Sequence, residues 1–250
     1  ETHYWTSQSN GYRYNIIGSH PNKTTTTPDL PAIYVEYHDG AAYSDWAGLR
    51  PMTELEFEKA SRGPLPAVAG EYVWGTATID ETWTPLNNED TPQEGIAGGY
   101  ATTVGNAWYN DTRSTQSVVR VGIYAANALN TGRVTAGATY WGIMEMSGNA
   151  WDRCVSVGHP EGRGFMGTHG DGELSATGGA NNTDWPAYNY QGSNNEVDYS
   201  VGCGYRGGGW AWPSPVQRNL RLSSRRLATA FFDNIRYYDD SYRAVRTAPF

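Results

Sequence analysis

The chain has 250 residues, a net charge of -8 and only 37 Leu, Ile, Val and Phe, a share that with this charge would suit a disordered segment. Ten Trp and eighteen Tyr replace the missing aliphatics; aromatic side chains bury large areas, so a folded domain with an aromatic, loop-rich core is expected. The acidic balance disfavours non-specific nucleic-acid binding, and no apolar run approaches the ~20 residues that span a bilayer, the longest being broken at Arg120.

The chain opens Glu-Thr-His-Tyr-Trp, with neither an initiator Met nor a basic-then-apolar leader. It reads as a processed product or a piece of something longer. Residues 1–31 are polar and Thr-rich, with Pro21, Pro28 and Pro31, and read as an extended arm. Residues 33–37 (IYVEY) have the β-branched and aromatic character of a strand. Asp39 is placed to cap a short helix through Ala41, Ala42 and Trp46, stopped at Gly48. Thr53 and Glu56 form a capping box for a second helix running to Ser61 and ending at Gly63-Pro64. Residues 72–75 (YVWG) predict another short strand. Residues 76–116 read mostly as loop.

Residues 118–124 and 140–146 are short apolar stretches. Residues 158–200 are dominated by Gly, Asn, Asp and Ser, a length of loop that needs a function or a brace. Strand-like pieces return at 201–210, 220–223 and 242–247. No internal repeat or linker divides the chain. It is read as one domain over residues 32–250, preceded by the arm 1–31.

Sixteen of the eighteen cations are Arg, and eight of these lie from Tyr205 onward. Such a tail can bind phosphate. The preferred reading is that these arginines fork onto carboxylates of the same domain and stack on its aromatics. Cys154 and Cys203 carry no metal spacing. They either bridge the Gly/Asn-rich segment between them or stay as two buried thiols.

Four segments in fixed order carry a family resemblance: residues 34–48 (YVEYHDGAAYSDWAG), 49–63 (LRPMTELEFEKASRG), 142–152 (GIMEMSGNAWD) and 205–210 (YRGGGW). The chain resembles the formylglycine-generating-enzyme, or sulfatase-modifying-factor, superfamily over roughly residues 32–247. The resemblance implies an α+β, C-type-lectin-like fold, loop-rich, with two short helices and short antiparallel strands. Its wording is similar to domains of secreted or surface-attached bacterial proteins. The family's domain usually begins earlier, with a first strand and helix that are not recognisable in residues 1–31.

Oxidising members of the family hold copper with two cysteines shortly after the Gly-Gly-x-Trp turn, because thiolate suits Cu(I). No cysteine follows Cys203 here. The family's oxygenase branch uses a histidine-rich iron site, and the five histidines here (His3, His20, His38, His159, His169) lack ligand spacing. The resemblance therefore implies a member without the family's oxidative chemistry. It also implies a structural calcium at Glu145, Gly148, Ala150 and Asp152, the outer two giving side-chain oxygens and the inner two carbonyls. The alternative is that Asn149 and Asp152 close a turn by hydrogen bonds. A second family cation position would begin at Asn106 with the Ala107 carbonyl, but Arg120 stands where its remaining ligands are expected.

These readings point to a noncatalytic extracellular or cell-surface domain, an adhesion or assembly component. Its partner would be a protein, a glycan or a neighbouring subunit. Trp212, Tyr237 and Tyr238 are the aromatics expected at the recognition surface, whereas Trp210 is expected in the core. A virion or filament subunit and an enzyme with a relocated active site are the alternatives.

Overall fold

The computed structural model describes residues 16–17, 24–25, 27–81, 85–89, 91–98, 100–111, 117–130, 132–192, 194–211, 217–229 and 236–248. Two-residue strands β1 (Ile16–Ile17) and β2 (Thr24–Thr25) pair antiparallel within the stretch expected as an arm. Helix α1 spans Tyr37–Trp46. It begins two residues before Asp39 because Glu36 is its N-cap, with Asp39 Oδ2 accepting from the Glu36 amide at 3.0 Å. The strand expected at 33–37 is therefore absent. Tyr34 has φ +61°, which interrupts an extended run, and Tyr37 already belongs to the helix.

Strand β3 (Arg50–Pro51) leads into α2 (Glu54–Arg62). The Thr53/Glu56 capping box forms as read from the sequence: Thr53 Oγ1 accepts from the Glu56 amide at 3.1 Å, and Glu56 Oε2 accepts from the Thr53 amide at 2.9 Å. Residues 72–75 make a tight turn closed by the Gly75 amide on the Tyr72 carbonyl, not the expected strand. The ring of Tyr72 stacks on Trp74 at 4.8 Å, so these aromatics fill the core from a turn.

Strands β4 (Leu86–Asn87) and β5 (Gly95–Ile96) form a small antiparallel pair. The main sheet has three strands, with β6 (Trp151–Val155) central. Short helix α3 (Pro160–Gly164) follows. On one side β6 pairs antiparallel with β7 (Cys203–Arg206), Asp152 facing Arg206 and Val155 facing Cys203. Helix α4 (Gln217–Leu220) occupies the start of the expected 220–223 strand, since Leu220 and Leu222 turn into the core. On its other side β6 runs parallel to β8 (Asp240–Tyr242). Strand β9 (Ala244–Val245) then pairs with β3.

Strand β6 divides two hydrophobic clusters. Cys154 packs with Phe57, Trp74 and Leu222, whereas Val155 and Cys203 pack with Tyr37, Trp185 and Val197. Residues facing each other across a ladder share a face, and successive residues alternate. Cys203 faces Val155, so it lies on the opposite side of the sheet from Cys154. Both cysteines are free and buried, the second of the two readings that the sequence leaves open. A third cluster joins Ile33, Trp108, Val119, Ile123 and Trp210, and Trp210 is core as expected.

Buried charge ties these layers together. Arg206, 2% exposed, reaches Glu54 at 3.1 Å and Glu58 at 3.0 Å, with its guanidinium 5.2 Å from the Phe57 ring centroid. Arg225 meets Glu54 at 2.9 Å, and Arg236 meets Asp39 at 2.7 Å. Arg153 lies 3.7 Å from the centroid of the Tyr205 ring. Several of the C-terminal arginines thus end on carboxylates of the same domain.

The long segment 158–200 is braced from α1. Asp45 Oδ1 accepts from the Asp171 amide and Oδ2 from the Asn181 amide, both at 3.1 Å. The Gly172 amide bonds the Asp45 carbonyl at 3.1 Å, and the Gly170 amide the Leu49 carbonyl at 2.7 Å. A Cβ on Gly170 would lie 2.3 Å from Asp45 Cα, so the approach requires glycine. Trp185 drops from this segment into the core, its indole nitrogen donating to the Thr168 carbonyl at 2.8 Å.

Candidate functional site

Residues 142–152 enter β6 through a chain of tight backbone turns. Glu145 (φ +59°), Gly148 (φ +86°) and Asn149 (φ +68°) all occupy the left-handed region, which for Glu is uncommon and must be held by surrounding contacts. A Cβ at residue 148 would sit 2.6 Å from the Trp108 carbonyl oxygen, so Gly148 is required twice over. Asn149 is fully buried and acts as a piece of strand: its Oδ1 accepts from the Val119 amide and its Nδ2 donates to the Val119 carbonyl, both at 2.9 Å. Its backbone amide bonds the Trp108 carbonyl at 2.7 Å, and its carbonyl takes the Trp210 amide at 3.0 Å. The alternative read from the sequence has Asn149 and Asp152 closing a turn; here the Asn149 side chain bonds Val119, thirty positions away.

The structure brings Glu145 and Asp152 to the two ends of this segment, with Gly148 and the buried Ala150 between them. Asp152 is 2% exposed, and both its oxygens accept from Arg243 Nε, at 2.9 and 3.2 Å. Arg243 Nη2 donates to the Met144 and Glu145 carbonyls, each at 3.1 Å. Burial raises the Asp152 carboxyl above its ordinary range and Arg243 opposes that shift. The Glu145 side chain turns the other way, with Oε1 accepting from the Gly122 amide at 3.1 Å. Burial pushes this carboxyl up to about 7, against the Gly122 hydrogen bond and the charges of Arg243 and Arg120.

Calcium takes six to eight oxygen ligands in an open cage. Here one of the two carboxylates is forked by a guanidinium and the other is turned to a backbone amide. Among the described residues no group of three or more His, Cys, Asp and Glu is placed to hold a metal ion. As arranged, this oxygen set does not fit a divalent cation; it is closed around Arg243.

Asn106 is buried and spends its amide nitrogen on the Ala101 carbonyl at 2.8 Å and the Thr135 carbonyl at 2.7 Å. Arg120, expected to disturb a cation position there, turns to Glu94: its backbone amide meets Glu94 Oε1 at 2.9 Å and its Nε the Glu94 carbonyl. Asn106 therefore pins two loops together.

At the expected recognition surface, Tyr237 and Tyr238 are 38% and 36% exposed. Tyr238 rests on Trp210 with ring centroids 5.3 Å apart, and the Tyr237 carbonyl closes the turn into β8. Trp212 lies outside the described residues. Sequence reasoning missed a second exposed aromatic pair on α1, Tyr43 and Trp46, with centroids 6.3 Å apart. It also missed Arg243, which is 91 positions from Asp152 and carries no local signal.

The thiols are poor candidates for redox chemistry. Burial raises the pKa of both Cys154 and Cys203 above the ordinary thiol range, and the two sit in separate clusters. Past Trp210, Gln217 begins α4 and its side chain meets the Tyr109 hydroxyl, whose pKa burial lifts to about 12. Of the described histidines, His38 contacts Arg236, His159 caps α3, and His169 accepts from the Thr247 amide. The three occupy separate places.

A loop-rich α+β scaffold threaded through one central strand, with the Gly-Asn-Ala-Trp entry to that strand, defines the class of fold. The chain belongs to the sulfatase-modifying factor enzyme 1-like domain family, which it matches over residues 3–237. A formylglycine-generating enzyme of Streptomyces coelicolor is 43% identical over 68 residues, covering 24% of this chain and 21% of that protein. The hercynine oxygenase of Mycobacterium tuberculosis is 37% identical over 62 residues, covering 24% of this chain and 15% of that protein. A formylglycine-generating enzyme of Mycobacterium tuberculosis is 29% identical over 142 residues, covering 53% of this chain and 36% of that protein. The chain thus spans only 15–36% of the length of these curated relatives.

Proposed function

We propose that this domain is a noncatalytic binding or structural module acting outside the cell, a component of adhesion or surface assembly. The observation that carries the reading is the placement of the chain's two cysteines. Both are buried, on opposite faces of the sheet, with thiolates disfavoured by burial. None follows Cys203, the region where the family's oxidising members carry theirs. Thiolate is the form that binds Cu(I) or attacks a partner sulfur, so a buried, separated, protonated pair does not serve that chemistry.

Binding would use the exposed C-terminal aromatics. Tyr237 and Tyr238 are both exposed just before β8, and Tyr238 is backed by the core residue Trp210. Rings supported in this way offer area to a protein or glycan at small entropic cost. The test has two arms. The full chain is incubated with a cysteine-containing peptide and either copper or iron, and oxygen uptake and peptide mass are followed; no turnover is expected, and formation of an aldehyde product overturns the reading. The same protein is applied to a glycan array and to intact bacterial surfaces. Retention that is lost in Tyr237→Ala/Tyr238→Ala supports the reading, and binding unchanged by that variant moves the surface elsewhere.

A further inference from the structure

We propose that Arg243 is the built-in cation of the 144–152 segment, holding by a guanidinium the loop that a structural calcium would hold in the relatives this chain resembles, so that the domain is braced without a metal. The guanidinium contacts both oxygens of Asp152 and the carbonyls of Met144 and Glu145. These atoms come from the two ends of the segment, so one planar group closes the loop. A guanidinium offers five donors in a fixed fork and stays charged at any working pH.

The backbone delivers that fork with little freedom. Tyr242, just before it, is registered opposite Arg153 in the parallel ladder with β6. Ala244, just after it, is registered opposite Pro51 in the ladder with β3. Arg243 is thus the one residue between two paired strands, and its side chain crosses to Asp152 on the neighbouring strand. The charge is needed there. Asp152 is nearly fully buried within a central strand, where an unpaired carboxylate is strongly disfavoured. Glu145 does not share the guanidinium through its side chain: its Oε1 accepts from the Gly122 amide instead.

The test uses the full chain. Elemental analysis after desalting is paired with thermal melts in EDTA and in added calcium chloride. No bound calcium and an unchanged melting temperature are expected. Arg243→Gln should lower the melting temperature by roughly 10 °C, the scale for leaving a buried charge unpaired in a domain this size. Adding Asp152→Asn should raise the melting temperature of that variant, although the same substitution lowers it in the parent, because it removes the stranded charge. Stoichiometric calcium, a fall in melting temperature on chelation, or no relief from Asp152→Asn each overturns the proposal. If Arg243→Gln does not fold, the chelation and elemental measurements on the parent protein still decide it.

Discussion

Two irregular regions are each fixed to the scaffold by one buried aspartate, and the partners differ. In residues 142–152 the anchor is Asp152, met by the guanidinium of Arg243, while Asn149 laces the middle of the loop to Val119. In residues 165–182 the anchor is Asp45, met by the backbone amides of Asp171 and Asn181. The first region runs straight into the central strand, so its fixation is inseparable from the fold. The second lies over the end of α1 and is outside the three-stranded sheet. A full charge from a distant residue serves where the loop is part of the core; backbone dipoles suffice where the loop is an added layer.

The sharpest way to break this contrast is to cut one hold on each region in turn. Asn149→Ala strands the amide and carbonyl of Val119 and places an Ala at positive φ, and should cost about 4 kcal/mol of global stability. Urea denaturation checks it; a loss under about 1 kcal/mol would mean the loop is held by other contacts. Asp45→Ala removes two charge-assisted bonds and should cost about 3 kcal/mol locally. Hydrogen exchange should rise in residues 165–182 while β6 keeps its protection. If β6 loses protection as well, the two regions are one cooperative unit.

Gly170→Ala probes the same contact sterically. The added carbon would meet Asp45 backbone at 2.3 Å, so about 2 kcal/mol is expected, with the same local exchange signature. The smallest effect belongs to a version of the guanidinium clamp whose arginine is buried but whose carboxylate is partly exposed. Arg50 meets Glu56 at 2.9 Å through Nη1. Burial alone would raise the Glu56 pKa, but Arg50 and the Thr53 amide and hydroxyl outweigh it and hold it below 4.5. Its contribution is therefore present above pH 4.5 and lost as pH falls through the lower folded value. Glu56→Gln should flatten that part of the stability profile, and solvent screening keeps the change small.

Local chemistry is legible in the sequence and distant chemistry is not. The Thr53/Glu56 box spans three residues and can be read directly, and so can the Gly63 stop. The run 33–37 has strand composition, yet Glu36 caps a helix in partnership with Asp39, three residues on. Strand β6 is hard to recognise because it is a central strand containing Asp152 and Arg153, both buried. Charges in such a place look wrong until Arg243 and the Tyr205 ring are brought in from far along the chain. The state of the cysteines stays open in the sequence for a geometric reason: spacing carries no information on which face of a pleated sheet each thiol takes.

The position of β6 in the sheet also sets the order in which the molecule can assemble. Its two partners lie about 50 and 90 residues downstream, and the parallel one, β8, is completed only at Tyr242. Ladders between such distant segments form only after long loops have closed, an entropic cost met before any contact compensates it. During synthesis the middle strand is left with an open edge until residues 240–242 clear the ribosome. Asp152 waits equally long for Arg243, so a chain cut before that point would expose both an unpaired strand and an unpaired charge.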